Sequence, residues 1–322
     1  MIEVRKYTDA RGRKAFLSVP GVHCYVPGEK QYLKSVLTPS KNVLFRAYHA
    51  AYFVAFDDGL PVGRVFAWCR DTDGFFALLD GNCPEVLLET AEEYLKQFGC
   101  TVFAGPYCCC PSFSFAGALT YEETPPLKRA ALTALIGDVD RLSYYRMDME
   151  CTAGFKAFEL QVGTVNPLHD RAERAKKRFS LTVCRLHRGI GKNTLPNVAY
   201  EIERPGNAAA AIEAERCLPL TALSHSFCVR GKNGELLGYV MCLKGEVMRV
   251  STLITKQKNN FSPPVTLCLI SALWDSLIKK HVSSVEASVI DTENEASIRV
   301  AERLGGTLKC QYDIFQKSIT QN

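Results

Sequence analysis

The sequence predicts a mixed α+β protein in which one order of elements is laid down twice. Three observations carry this expectation. At 322 residues the chain exceeds one ordinary domain and suits two of roughly 150 residues each. Short β-rich runs joined by Asp-Gly and Asn-Gly turns argue antiparallel pairing in both halves. In each half a long amphipathic helix then leads into a further strand. The fold class expected is therefore two similar modules, each a mostly antiparallel twisted sheet flanked by helices, spanning residues 1–157 and 158–322.

The elements follow in order. Residues 3–7 form a first strand, and polar helical stretches occupy 9–17 and 31–37. A meander comes next, with strands at 50–56, 63–70 and 75–79 and turns at 57–61 and 71–74. Residues 84–98 are an amphipathic helix: Leu87, Ala91, Tyr94, Leu95 and Phe98 form one stripe, Pro84 suits the first turn, and Gly99 stops it. A strand at 101–104 follows, then a Gly-, Ser- and aromatic-rich loop at 111–124, a short helix at 127–136 and a closing strand at 142–151. The second half starts near Phe158. It has a basic helix at 170–178, a strand at 181–186, an alanine-rich helix at 207–217, a hairpin of 227–230 and 237–243 about Lys232-Asn233-Gly234, and a third strand at 247–254. The helix at 264–280 carries Val265, Leu269, Leu273 and Leu277 at a spacing of four.

Composition narrows the function classes. The chain is 47% hydrophobic, as folded cores require, with no run near the ~20 apolar residues that span a membrane. Its opening lacks the apolar stretch of a signal peptide, which places the protein in the cytoplasm. The 14 cysteines show no disulfide framework. Cys69, Cys100, Cys184, Cys228, Cys242 and Cys268 sit singly in apolar runs, as small core residues do. Cys108-Cys109-Cys110 reads as a cysteine-rich loop or a reactive thiol, and no spacing suggests a metal. Residues 1–160 hold 17 Lys and Arg against 19 Asp and Glu, and the rest 22 against 15. The second half is thus the better partner for an anion.

Residues 285–317 are the most informative stretch. Val285, Ala287 and Val289 alternate as a strand, and Thr292 and Glu295 have capping-box spacing. Ile298, Ala301 and Leu304 recur helically up to Gly305-Gly306, and residues 311–316 form another strand. The order of strand, Asn294, Ser297, Leu304-Gly305 and a Tyr-bearing closing strand resembles the end of a GNAT acyltransferase domain. MIEVRKYTD, GLPVGRVFAW and EYLKQFGCTVFAGP resemble the N-terminal half of large bacterial proteins, grouped with GNAT enzymes, that carry two such modules. The resemblance implies a tandem GNAT-like chain, with a degenerate first domain and an acyl-CoA site in the second.

In that family a splayed strand and the start of the next helix hold acyl-CoA, with its pyrophosphate on backbone amides. A base takes the proton of the amine, and an acid, often Tyr, protonates the leaving thiolate. Carried onto this chain, the resemblance implies cofactor contacts from Thr252, Ile254, Gln257, Lys258, Asn260, Val265, Asn294 and Ser297. It makes Glu246 and Glu286 the candidate bases and Tyr312 the candidate acid. Three departures stand out. Asn260 and Ser262 replace small residues of the phosphate loop, Pro263 and Pro264 remove amide donors, and Ala301 occupies the position where many members carry Tyr. Each residue also has a plainer role: a solvated charged loop near 256–264, a helix cap for Asn294, surface carboxylates for Glu246 and Glu286. His225 is a lone loop histidine by its sequence. In the first half the corresponding loop, residues 79–84, is shorter and acidic, so CoA is not expected there.

The function expected is transfer of an acyl group from acetyl-CoA or a longer acyl-CoA to an amine on a small molecule. One alternative is a GNAT-fold binding or regulatory protein without chemistry. Another is an aminoacyl-tRNA-dependent transferase whose basic helix meets RNA. That run has no interleaved aromatics, so nucleic acid is not expected.

Overall fold

The computed structural model of the protein describes residues 1–19, 49–106, 118–120, 141–203, 221–244, 248–256 and 262–320. Thirteen strands among these form one continuous sheet. In the first half they are β1 (Ile2–Tyr7), β2 (Ala50–Asp57), β3 (Leu60–Arg70), β4 (Asp73–Gly81), β5 (Val102–Gly105), β6 (Ala118–Thr120) and β7 (Glu150–Gln161). The second half contributes β8 (Thr182–Arg185), β9 (Phe227–Arg230), β10 (Leu236–Leu243), β11 (Met248–Thr255), β12 (Ser284–Asp291) and β13 (Thr307–Ser318). The helices are α1 (Ala10–Phe16), α2 (Pro84–Lys96), α3 (Arg141–Arg146), α4 (His169–Phe179), α5 (Leu195–Glu203), α6 (Ser262–Lys279) and α7 (Glu295–Arg303).

The strand order is β1-β2-β3-β4-β5-β13-β7-β12-β11-β10-β9-β8, with β6 beside β13. The two halves therefore exchange their last strands. β13, the end of the chain, lies against β5 of the first half, and β7, the end of the first half, lies against β12 of the second. β13 and β7 then pair with each other over the longest ladder among the described residues, from Thr307–Glu159 to Gln316–Glu150. Each half is antiparallel except for one parallel pair, β4 with β5 and β11 with β12. A helix makes each of those crossovers, α2 in the first half and α6 in the second, as a parallel connection requires.

Three apolar cores result. One joins α2 to Phe76, Phe103 and Tyr144 of the first half and to Phe315 of β13. A second joins α6 to Val229, Val240, Cys242 and Val285. The third uses the opposite sheet face of both halves at once. Phe16, Tyr52, Phe66 and Trp68 belong with Val198, Ile202, Tyr239 and Met241, so the halves share a core.

Several sequence expectations need correction. Residues 142–151 are not a strand: α3 occupies the start, Asp148 takes a left-handed turn, and β7 opens at Glu150. The loop expected at 111–124 contains β6, which pairs with Gln311–Asp313. The Thr292–Glu295 capping box does not form. Thr292 donates its hydroxyl to the Gly154 carbonyl, and Asn294 caps α7 by accepting from the Ser297 amide at 3.1 Å. Helix α5 was not anticipated, although Val198, Ala199 and Ile202 have helical spacing and are buried. The helices expected at 31–37, 127–136 and 207–217, and the Cys108–Cys110 run, lie outside the described residues.

Candidate functional site

The second half contains a parted sheet. β11 and β12 pair only at Met248–Val285, Arg249–Glu286 and Val250–Ala287. Beyond that point each strand follows its other neighbour. β11 stays with β10 as far as Thr255–Gly238, and the Lys256 amide still donates to the Leu237 carbonyl at 2.8 Å. β12 stays with β7 as far as Asp291–Phe155, and the Thr292 amide donates to the Gly154 carbonyl at 3.0 Å. A β-bulge between Met241 and Cys242 against β11, and another irregularity between Ala287 and Ile290, accompany the divergence. Bulges bend strands and end pairing, so they are the local cause. The gap runs along residues 251–255 of β11, roughly 15 Å at ~3.3 Å per residue.

Two helices begin at the wide end. α6 starts at Ser262, whose hydroxyl lies 2.7 Å from that of Thr255 on β11. α7 starts behind the Asn294 cap, with Asn294 exposed and Ser297 half-buried. The four leading amides of a helix have no internal partners and can hold an anion. In α6 Pro263 and Pro264 occupy the first turn, so two of those donors do not exist.

The narrow end holds a charge cluster. Glu286 is buried at 2% exposure, opposite Arg249 in the strand register. One of its oxygens accepts from Lys309 of β13 at 2.6 Å, and the other lies 3.4 Å from Arg249 Nε. Thr252 and Ile254 are half-buried on the face of β11 that pairs with Met241 and Tyr239. Val265 is fully buried in the α6 core and approaches Gly238 closely, so it shapes the floor beneath β11. The backbone of Tyr312 pairs with Phe155 of β7 and Leu119 of β6, two strands away from the gap. Glu246, Gln257, Lys258 and Asn260 lie outside the described residues. Thr252 and Ile254 thus lie on the unpaired part of β11, Asn294 and Ser297 at the start of α7, and Glu286 at the root, whereas Val265 lies in the core against Gly238 of β10.

His225, by contrast, is buried away from the gap, with its Nδ1 2.9 Å from the Ser276 hydroxyl. Burial, followed by the charges of Arg185 and Lys280, pushes its pKa down. A separate hollow of about 420 Å³ lies beside the start of α4, where Asp275 meets His169 at 3.4 Å and Asn166 at 2.8 Å. Among the described residues no group of His, Cys, Asp and Glu is placed to hold a metal ion. No helix among them is long and apolar enough to cross a membrane.

No protein-family model matches the chain, and no curated protein matches it in sequence. Solved structures do. A tandem GNAT protein from the clavulanic acid biosynthesis pathway superposes with a TM-score of 0.59 at 13% identity, covering 99% of this chain and 98% of that one. This is a tandem GNAT fold. A GCN5-related N-acetyltransferase from Sphaerobacter thermophilus gives 0.54 at 11% identity, over 98% and 95% of the two chains. A GCN5-related glucosamine N-acetyltransferase region of a fungal multi-domain GH3 β-N-acetylglucosaminidase gives 0.62 at 11% identity. It covers 98% of this chain, which spans only 38% of that larger protein.

Each half has one short parallel pair, and the first half treats its own differently. β4 and β5 also share only three paired positions. Past them Gly105 sits so close to Phe76 that a Cβ would lie 2.5 Å from the Phe76 carbonyl, so the strands remain in contact. Gly81 turns the chain at φ +100° against the Val62 carbonyl, and the Asn82 amide donates to that same carbonyl. Only glycine fits such an approach. Cys83 and Pro84 complete the loop, and Asp80 is buried there against Arg64 at 3.2 Å. The amide that would greet an anion is spent, and an acid stands beside it.

Proposed function

We propose that the chain is an acyl-CoA-dependent N-acyltransferase whose donor lies in the gap between β11 and β12. The parting of these two strands is the observation that carries this reading. An unpaired strand edge with regular backbone donors and acceptors suits an extended amide-bearing arm, which adds to the sheet as a strand would. Pantetheine is such an arm. In this reading it runs past Thr252 and Ile254, with its phosphates toward Gln257, Lys258, Asn260 and the start of α6. Asn294 and Ser297 meet it from α7, and the acyl carbon comes to the root near Glu286.

The chemistry requires an amine to attack the thioester carbonyl, the C–S bond to break, one proton to leave the nitrogen and one to reach the sulfur. Glu246, two residues before β11, is the proposed base. Glu286, with its oxygens engaged by Lys309 and Arg249, holds the root in place. Tyr312 is level with Asp291 at the wide end and two strands from the gap, so it is not placed to serve as the acid, and in this reading the thiolate takes its proton from solvent. The first half supplies no donor site in this reading and instead frames the acceptor through the shared core. The competing reading is a GNAT-fold binding protein without chemistry, and Pro263 and Pro264 favour it.

The test is calorimetric titration and thermal shift with acetyl-CoA, a longer acyl-CoA and desulfo-CoA. A ligand at 100 times its Kd stabilises the folded state by about 2.7 kcal/mol, a rise in Tm of a few degrees. The expected result is selective stabilisation by one chain length, followed by thiol release when an amine acceptor is supplied. Absence of a shift with all three at millimolar concentration overturns the acyltransferase reading.

A further inference from the structure

The second half carries much of its charge at one margin of the sheet. β8 is the last strand of the order, and its outer edge has no strand partner among the described residues. α4 runs into β8 through Ser180, and a loop at 187–194 leads from β8 to α5. Residues 174–200 hold seven Lys and Arg and no Asp or Glu. Lys176 is engaged by Glu173, and the other six, Arg174, Lys177, Arg178, Arg185, Arg188 and Lys192, are exposed. Glu235, in the neighbouring β9–β10 turn, accepts from the Asn233 amide of its own turn at 2.9 Å. The margin therefore presents a positive field to its surroundings.

The loop after β8 is held in shape and displays an apolar tip. The His187 amide donates to the Asn193 carbonyl at 3.2 Å. The Gly191 carbonyl accepts from the Thr194 amide, from the Thr194 hydroxyl at 2.9 Å and from the Asn197 side chain at 3.0 Å. Arg230 of β9 donates to the Asn193 side chain and to the Lys192 carbonyl. Between these anchors stands Ile190, more exposed than any other large apolar side chain among the described residues. Arg188 and Lys192 lie two residues to either side of it. Tyr200, also exposed, follows Asn197 by one turn on the side of α5 that meets the loop. An apolar tip between cations gains by leaving water while its flanks keep anionic company, which is what a lipid headgroup boundary offers. Nucleic acid offers the phosphates but no apolar phase for the isoleucine.

We propose that this margin docks the protein on an anionic lipid bilayer, with Ile190 entering the headgroup boundary and Arg188 and Lys192 on lipid phosphates. The cations of α4 and β8 add to the attraction without entering the boundary. The inference stands apart from the acyl-CoA reading: β8 lies three strands from β11, about 14 Å at ~4.8 Å per strand, and none of the docking residues belongs to the gap. It has two separable parts, a charge attraction that salt screens and an apolar insertion that salt does not.

The experiment is co-sedimentation of the full chain with vesicles of phosphatidylcholine alone and of phosphatidylcholine with phosphatidylglycerol, at low and high salt. Wild type is compared with Arg188→Ala/Lys192→Ala and with Ile190→Ser. All three side chains are exposed, so both variants should retain the wild-type circular dichroism spectrum and Tm. The expected result is binding of wild type to the anionic vesicles only, weakened by salt, and about a ten-fold loss in each variant. Insertion is read separately in Ile190→Trp, whose emission should be quenched by bromine-labelled lipid chains, while the buried Trp68 and Trp274 should not respond. That readout also decides the matter if either of the other variants proves unfolded. Absence of wild-type binding to the anionic vesicles, equal binding by all variants, or an unquenched Trp at position 190 overturns the inference. So does retention of a single-stranded RNA that depends on Arg188 and Lys192 but not on Ile190, when the vesicles are not bound. None of these results depends on acetyl-CoA, so the donor reading stands or falls by its own titration.

Discussion

His225 illustrates how a single side chain ties the fold to pH. Its imidazole is packed between the 3-10 turn Leu223–His225 and α6, and it shares a hydrogen bond with Ser276. The folded pKa lies below 6.5, with desolvation the leading cause and Arg185 and Lys280 adding to it. Above about pH 6.5 the ring is neutral in both folded and unfolded chains, so it contributes no pH dependence. As pH falls below that value the unfolded chain takes up the proton first, and stability declines until the lowered folded pKa is passed. His225→Gln keeps a polar partner for Ser276 and removes the titration. Urea midpoints at pH 7.5 and 5.5 should fall less in this variant than in wild type, and equal falls would show that His225 is not the group responsible. The sequence presented His225 as a loop histidine because nothing local reveals that α6 closes over it. The cysteines were easier to read. Cys242 and Cys268 are buried, and burial raises their thiols, as their apolar flanks suggest.

At the scale of elements, α7 is where structural and proposed roles overlap. Asn294 caps the helix, and it is also a proposed contact of the donor. Two substitutions separate these roles. Asn294→Ala removes both and should cost about 1 kcal/mol of stability, whereas Asn294→Ser keeps a capping oxygen and should be nearly neutral. If donor affinity falls by the same factor in both variants, the side-chain amide touches the donor. If it falls only in the alanine variant, Asn294 acts by fixing the helix, and the contact is disproved. Most elements were legible because their causes are local. Examples are the first-turn Pro84 of α2, the Asn-Gly turn before β10 and the four-residue spacing of α6. The misreadings have non-local causes. Residues 142–151 alternate well enough for a strand, yet Tyr144 stacks on Phe315 of β13 at 4.4 Å, and that contact with the far end of the chain favours a helical turn. The parting of β11 from β12 was expected only through resemblance, because which neighbour a strand follows is decided by partners distant in sequence.

For the whole molecule the exchanged strands are decisive. Residues 1–157 taken alone would lack β13 between β5 and β7, and residues 158–322 would lack most of β7 beside β12. Either piece would expose long unpaired edges, which aggregate rather than fold. Calorimetry of the intact chain should therefore give one cooperative transition, and two resolved transitions would show that the halves are energetically independent. Sequence could announce the repeat, since element order is written along the chain. It could not announce the exchange, because β7 and β13 have the alternation of any half-buried strand and carry no label for the sheet they join.

That exchange also bears on what the chain can discard over generations. A duplicated half that no longer receives a donor is ordinarily dispensable, and deletions would erode it. Here the first half lends a strand to the second, and its aromatic residues line the core both use. Its sequence is thus held to hydrophobic alternation along β7 and to glycine at position 81. Inheritance would retain it as scaffold whatever chemistry it carries.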